Sequence, residues 1–140
     1  MAEGVNGSRS LPLILARELA SNLSTPMFLV DAEGTLVYLN DAAELFVGRT
    51  LVEIGEITGV EFGNRLQLQT TDGQPMRPHD SPAGIAFFQR RPAHQVVLAT
   101  CFDGETRVVN ATAYPLFGVQ NELHGVVTVF WPPHELNGNA

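Results

Sequence analysis

Residues 25–48 place the tightest limits on what this chain can fold into. Residues 27–30 form a short apolar run, residues 31–34 form a polar segment that ends in glycine, and residues 35–39 are rich in β-branched and aromatic side chains. This pattern predicts two strands joined by a tight turn. The sheet of this protein is therefore expected to begin with a β-hairpin.

The hairpin leads into a helix with no intervening loop. Asn40 and Asp41 are both good helix N-caps, and Glu44 lies three residues after Asp41, which approximates a capping box. Gly48 suits the left-handed position that ends many helices. The pattern predicts a short capped helix directly after the second strand.

An amphipathic helix is predicted for residues 11–24, after a flexible tail at residues 1–10. Leucines recur every four residues along this helix, and its opposite side is polar. They form a leucine stripe that consists of Leu11, Leu15, Leu19 and Leu23. We expect the leucine stripe to be the interface of a homodimer, because soluble monomers rarely expose large apolar patches.

The middle of the chain predicts one further helix and little other regular structure. Two glycines break any long helix in residues 50–63, and the alternation in residues 65–69 predicts a small extra strand or extended segment. Ser81 followed by proline is typical of a helix start. This helix would present Ile85 and Phe88 inward.

Three strands are predicted at residues 93–101, 107–113 and 123–131, and they are apolar on both faces. An antiparallel sheet with one wet face would alternate polar and apolar residues, so both faces must be covered. The predicted fold is α+β: a five-stranded antiparallel sheet with helices packed on one face. The N-terminal helix, a partner subunit, or both would cover the other face.

This order of features resembles a PAS domain, a sensory and interaction module. The shared features are an Asp-x-x-Gly turn in the first hairpin, Asn40 before the first helix of the domain, and a last strand that contains Gly-Val-Val. The resemblance spans roughly residues 13–130. It implies a PAS-like domain over residues 25–132, with a flexible tail at residues 133–140, that senses a signal and binds a partner, such as a signalling protein, without covalent chemistry.

Composition limits the partners and the location. The chain has 140 residues and a net charge of −7, and its eight basic residues are all scattered arginines. Duplex binding needs a basic stripe, and an acidic surface disfavours anionic membranes, so neither nucleic acid nor membrane is an expected partner. The apolar run near the N-terminus is neither a signal peptide nor a membrane span, and we expect a cytoplasmic protein.

No metal site, haem, flavin or enzymatic activity is expected. None of the four histidines has zinc-ligand spacing to another. Cys101 is the only cysteine and lies on a predicted strand, whereas light-oxygen-voltage domains carry theirs in an Asn-Cys-Arg-Phe-Leu helix; a small buried hydrophobe is the better interpretation. The sequence contains no nucleophile elbow, phosphate loop or zinc-protease motif, so no residue is assigned a catalytic role.

Two alanines on one face of a central strand, Ala111 and Ala113, suggest an internal cavity. Larger residues would fill this volume, and the cavity would admit a small apolar ligand. Its expected lining is Phe46, Ile85, Phe88, Ala111, Ala113 and Thr128. The alternative is that Phe87, Phe88 and Phe102 fill the space.

Two other functions compete with the sensory one. The first is a small α+β ligand-carrier or enzyme-like domain, and the second is a purely structural dimerisation module with a filled core.

Overall fold

The computed structural model describes residues 11–133, which form a five-stranded antiparallel sheet with helices on both faces. The tails predicted at residues 1–10 and 133–140 lie outside this part of the chain, apart from Pro133. The elements are helix α1 (Leu11–Ser21), strands β1 (Met27–Asp31) and β2 (Leu36–Leu39), helices α2 (Asp41–Val47), α3 (Leu51–Ile54), α4 (Gly59–Arg65) and α5 (Pro82–Gln89), and strands β3 (Ala93–Thr100), β4 (Thr106–Phe117) and β5 (Leu123–Trp131).

The strands lie in the order β2-β1-β5-β4-β3, and every neighbouring pair is antiparallel. The predicted five-stranded sheet, the first hairpin and the N-terminal helix are therefore confirmed. In the hairpin turn, the Asp31 carboxylate accepts hydrogen bonds from the amides of Glu33 and Thr35. Gly34 completes the turn at φ +87°, a conformation that favours glycine.

Helices α3 and α4 replace the irregular turns predicted for residues 50–63. Each begins at a threonine N-cap, Thr50 or Thr58, whose hydroxyl accepts a hydrogen bond three residues on. The capping box of the structure joins Thr50 to Glu53. The Glu44 carboxylate instead accepts a hydrogen bond from the Leu51 amide, at 2.8 Å. The capping box that the sequence predicted at the start of α2 is therefore found at the start of α3.

The extra strand or extended segment predicted at residues 65–69 is reduced to isolated bridges. Arg65 belongs to the last turn of α4, where it pairs with Glu61 of the same helix at 3.2 Å. Gln67 has a φ of +49°, which no strand residue adopts. Gln69 alone forms bridges, to Leu98 and to Pro75.

Strand β5 presents alternate residues to the two layers of helices. Thr128 and Phe130 face helices α2, α4 and α5, whereas Gly125 faces α1. A Cβ at Gly125 would clash with the Val30 carbonyl oxygen on β1 and would lie 3.1 Å from Cδ1 of Leu13, so glycine allows the close approach of β1 and leaves room for α1. Leu13 and Ala20 are the buried residues of α1. Helix α1 therefore covers the second face where β1 and β5 lie.

The buried side chain of Asn40 fastens α1 to the rest of the domain. Its Oδ1 accepts hydrogen bonds from the amides of Met27 (3.0 Å) and Ala43 (2.9 Å), and the second of these caps α2. Its Nδ2 donates to the carbonyls of Ala20 (3.0 Å) and Thr25 (2.9 Å). One amide therefore joins the end of α1, the start of β1 and the start of α2.

Candidate functional site

An apolar cavity of about 390 Å³ lies between the sheet and helices α2, α4 and α5. This volume is near the lower end of the range typical of small-molecule sites. The sheet side of the cavity contains Val97, Ala99, Cys101, Val109, Ala111, Thr128 and Phe130, and the helix side contains Phe46, Phe62, Leu66, Ala83, Gly84, Phe87 and Phe88.

Aromatic rings line the cavity without filling it. Phe28 packs edge-on against Phe62, and Phe46 packs edge-on against Phe130, with 5.4 Å between the ring centroids in each pair. Such pairs are favourable because the positive edge of one ring meets the negative face of the other. The rings therefore hold one another at the walls. Of the three phenylalanines that the alternative places in the space, Phe87 and Phe88 border the cavity, and Phe102 is not among its lining residues. The small side chains of Ala99 and Ala111 leave the space in front of the sheet open.

Four of the six predicted lining residues do line the cavity: Phe46, Phe88, Ala111 and Thr128. Ala113 does not line the cavity; it is completely buried on β4, the strand against which α5 packs. Ile85 does not either, because Ala83, Gly84, Phe87 and Phe88 form the side of α5 that borders the cavity. On a helix these positions share one face, and Ile85 is turned away from it.

The mouth of the cavity lies between the β1–β2 turn, the start of α4 and helix α5. Glu33, Thr58 and Phe88 are both lining and exposed, and Phe88 is 49% exposed. The His79 ring stacks on Phe88 at 4.4 Å between centroids. Gly59 donates to the Gly34 carbonyl at 2.7 Å, which holds two sides of the mouth together.

Two of the cavity's few polar side chains differ in their hydrogen bonding. The Ser81 hydroxyl donates to the Pro78 carbonyl and accepts from the Gly84 amide, so it is fully used. The Thr128 hydroxyl is buried and finds no hydrogen-bond partner in residues 11–133.

Burial raises the pKa of the Cys101 thiol, and a hydrogen bond from Arg107 partly offsets this rise. The thiol therefore stays protonated near neutral pH. Residues 11–133 contain no cluster of three or more side chains able to hold a metal ion.

The leucine stripe of α1 is on the surface of the chain. Leu11, Leu15, Leu19 and Leu23 are 39–65% exposed, because α1 packs on the sheet through Leu13 and Ala20 instead. The helix ends at Ser21 and not at residue 24 as predicted, so Leu23 lies just after it. Arg17 also points toward the domain, with its guanidinium 5.0 Å from the centroid of the Tyr38 ring. The helix thus has one side on the sheet and an apolar side free to meet a partner.

No helix among residues 11–133 is both long and apolar enough to cross a bilayer.

Sequence reasoning missed the unpaired state of the Thr128 hydroxyl and the bonds of Asn40 to α1. Both depend on which distant groups lie nearby, and no local pattern carries this information.

Comparisons with known proteins agree on the fold. A family model described as a PAS domain matches residues 15–81. The chain is similar to the PAS domain of BvgS from Bordetella pertussis, with 20% identity, a TM-score of 0.59, and coverage of 88% of this chain and 86% of that one. It is also similar to the PAS domain of the fruit-fly ELK potassium channel, with 12% identity, a TM-score of 0.69, and coverage of 86% and 96%.

A third similar structure is the LOV protein of Rhodobacter sphaeroides, with 17% identity, a TM-score of 0.68, and coverage of 93% of this chain and 71% of that one. At these identities the likeness shows the fold alone. Among curated protein sequences, none matches this chain significantly.

Proposed function

We propose that this chain, which contains a PAS domain, binds a small apolar ligand in its cavity and signals through non-covalent contact with a partner chain. A PAS domain is a sensory and interaction module, and the proposal adds the ligand, the surface and the partner. The observation that carries it is the cavity of about 390 Å³, which is lined by apolar side chains and reaches the surface beside Phe88. The proposed role involves no catalysis and belongs in the cytoplasm.

The lining supports an apolar ligand. Protein interiors are normally close-packed, and an empty cavity of this size costs stability that a ligand would restore. Burying apolar ligand surface among these side chains contributes roughly 25 cal/mol for each Å² removed from water. The exposed mouth residues give a ligand a route inward without global unfolding.

Strand β5 supplies a short route from the cavity to α1. Thr128 lines the cavity, and its neighbours Val127 and Val129 point to the opposite face of the sheet, because strand residues alternate. Val127 and Val129 pair with Leu29 and Met27 of β1, which are buried on the α1 side of the sheet. A ligand that moves β5 would therefore move the surface on which α1 rests.

The proposed partner is a second copy of this chain, bound through the leucine stripe. The stripe is apolar and exposed, three of its leucines lie on α1 and Leu23 follows the helix, and a self-complementary patch is what a two-fold dimer requires. An extended apolar patch on a soluble chain marks an interaction surface. If a ligand binds in the cavity and α1 does not change, the chain would instead be the ligand-carrier domain named above as an alternative.

Two neighbouring alanines test the cavity. Ala111→Leu should occupy part of the cavity, lower the affinity for a ligand and leave the fold intact at little cost. Ala113→Leu is the matched control, and it should destabilise the protein by about 1–3 kcal/mol because this position is already tightly packed. Thermal melts of both variants, with and without small aromatic compounds and fatty acids, measure both effects, since a ligand that binds only the native state raises Tm. Equal costs at the two positions, with no wild-type response to any compound, would contradict the cavity proposal.

Two exposed leucines test the dimer. The double change Leu15→Gln with Leu19→Gln should convert a dimer into a folded monomer, because neither side chain supports the core of its own chain. Val52→Gln is the control, since Val52 is 91% exposed but lies outside the stripe. Light scattering and circular dichroism report mass and fold. A wild-type chain that is already monomeric at high concentration would refute the dimer and leave the cavity proposal standing.

A further inference from the structure

We infer that the cavity ligand is a neutral, mainly apolar molecule whose one hydrogen-bonding group pairs with the Thr128 hydroxyl. This inference rests on the proposed ligand binding and adds the chemical class of the ligand. It comes from the polar atoms that the cavity offers and from the charges that it lacks.

The Thr128 hydroxyl is an unused hydrogen-bonding group deep in an apolar site. Thr128 is 3% exposed, and its Oγ1 has no hydrogen-bond partner in the part of the chain that the structure describes. Its cross-strand neighbours are Phe28 on β1 and Ala113 on β4, and neither side chain carries a polar atom. Buried polar groups in native proteins nearly always have a partner. Because Thr128 borders the cavity, a group inside the cavity can be that partner.

Water satisfies this hydroxyl poorly. A buried water molecule needs about two to four polar partners, and apolar cavities stay dry. The Ser81 hydroxyl is already paired with Pro78 and Gly84, and the remaining buried lining is almost wholly hydrocarbon. A ligand with one polar group and an apolar body would bury hydrocarbon against the walls and also supply the missing hydrogen bond.

The charges around the cavity disfavour an anionic ligand. Within residues 11–133, neither arginine nor histidine lines the cavity, and the charged lining residue in this range is the acidic Glu33 at the mouth. The Arg107 guanidinium lies 5.8 Å from the Phe46 ring centroid and reaches the Cys101 thiol at the edge of the cavity, but its charge is already paired with Asp103 at 2.8 Å. A carboxylate in the cavity would lose its hydration without gaining a cationic partner, which is strongly unfavourable.

The hydroxyl of threonine can donate or accept a hydrogen bond. The ligand group is therefore a neutral hydroxyl, carbonyl or N–H on a small apolar body. This class differs from a pure hydrocarbon, which would leave Thr128 unpaired, and from a fatty acid, whose carboxylate has no cation to meet.

Three naphthalenes of similar shape test this inference: 2-naphthol, 2-methylnaphthalene and 2-naphthoate. Their dissociation constants can be measured by NMR titration of the ¹⁵N-labelled wild-type chain and of Thr128→Val, which keeps the shape and removes the hydroxyl. The preference for 2-naphthol over 2-methylnaphthalene should fall about fivefold in Thr128→Val, the size expected for one neutral hydrogen bond. Thr128→Ser keeps the hydroxyl and should retain most of the preference. In wild type, 2-naphthoate should bind at least tenfold more weakly than 2-naphthol.

The outcomes separate this inference from the proposed function. If both neutral compounds bind and their ratio is the same in Thr128→Val, the Thr128 anchor is wrong and the cavity remains a ligand site. If 2-naphthoate binds as tightly as 2-naphthol, the neutral ligand class is wrong. If no compound shifts any cavity amide of the wild-type chain, ligand binding in the cavity fails together with this inference. Well-dispersed NMR spectra of both variants establish that each is folded.

Discussion

Replacing Asn40 by alanine should destabilise this domain far more than the loss of an ordinary helix cap. Asn40 is buried and forms four well-placed hydrogen bonds, at 2.9–3.0 Å. A hydrogen bond of this kind contributes about 1 kcal/mol net, and a buried group left without its partner costs about 1–3 kcal/mol. We therefore expect Asn40→Ala to lower the free energy of unfolding by roughly 4 kcal/mol, a large part of the total stability of a typical domain.

Two further variants divide this effect into its parts. Thr50→Ala removes the exposed N-cap of α3 and should cost only about 1 kcal/mol. Asn40→Asp keeps an equally good N-cap but loses the donor that meets the Ala20 and Thr25 carbonyls. Its cost, expected at roughly 2 kcal/mol or more, measures how strongly Asn40 holds the end of α1.

Urea unfolding followed by circular dichroism provides the free energies for all three variants. If Asn40→Ala costs no more than Thr50→Ala, then Asn40 acts only as a cap and its bonds to α1 contribute nothing. If Asn40→Asp is as stable as the wild type, the two hydrogen bonds that the Asn40 side chain donates to the Ala20 and Thr25 carbonyls contribute nothing to stability.

Two further predictions concern titration and thiol chemistry. A hydrogen bond from Arg107 and another from the Glu105 amide lower the pKa of Asp103 to about 2. Because this pKa lies below the unfolded value, the stabilisation is present above about pH 4 and is lost as the pH falls toward 2; Asp103→Asn should therefore show a smaller fall in Tm than wild type between about pH 4.5 and pH 2. Cys101 is buried and its thiol pKa is raised, so Ellman's reagent should react with it far more slowly in the native protein than in urea. Equal rates in the two states would show that the cavity opens freely.

The sequence predicts the parts of the fold that depend on neighbouring residues. The Asp31–Gly34 turn, the Asn40 cap and the strand at Leu123–Trp131 are each specified within a few residues, and the structure places all three where the pattern puts them. Helices α3 and α4 were predicted only as turns, because helices of four and seven residues between glycines have little periodicity to detect.

The candidate site was predictable only in part. The sequence identifies Ala111 and Ala113 as equally small residues on one strand face, but it does not show that Ala111 borders the cavity whereas Ala113 is completely buried outside it. The position of α5 depends on close packing against the turn before it: a Cβ at Gly84 would lie 2.1 Å from the Pro78 carbonyl oxygen. Cavity volume depends on such long-range packing. The hydrophobic pattern of each strand is the same whether or not a cavity forms, so the pattern does not predict the cavity.

The strength of the α1 attachment limits the kind of signal that a ligand can produce. The two hydrogen bonds from Asn40 to Ala20 and Thr25 contribute roughly 2 kcal/mol, and burial of the Leu13 side chain contributes about 1.5–3 kcal/mol more. A ligand present at 100 times its dissociation constant supplies about 2.7 kcal/mol, and a ligand shifts an equilibrium only by its difference in affinity for the two states. Full release of α1 would therefore need more free energy than such a ligand supplies.

We therefore expect ligand binding to shift α1 on the sheet and not to detach it. Backbone amides in the second half of α1 should keep their protection from hydrogen exchange when 2-naphthol is bound, while the chemical shifts of α1 change. Asn40→Asp weakens the attachment, so in this variant the same ligand should reduce the protection of these amides. Loss of α1 protection in the ligand-bound wild type would refute the estimate and indicate an order–disorder switch in place of a helix shift.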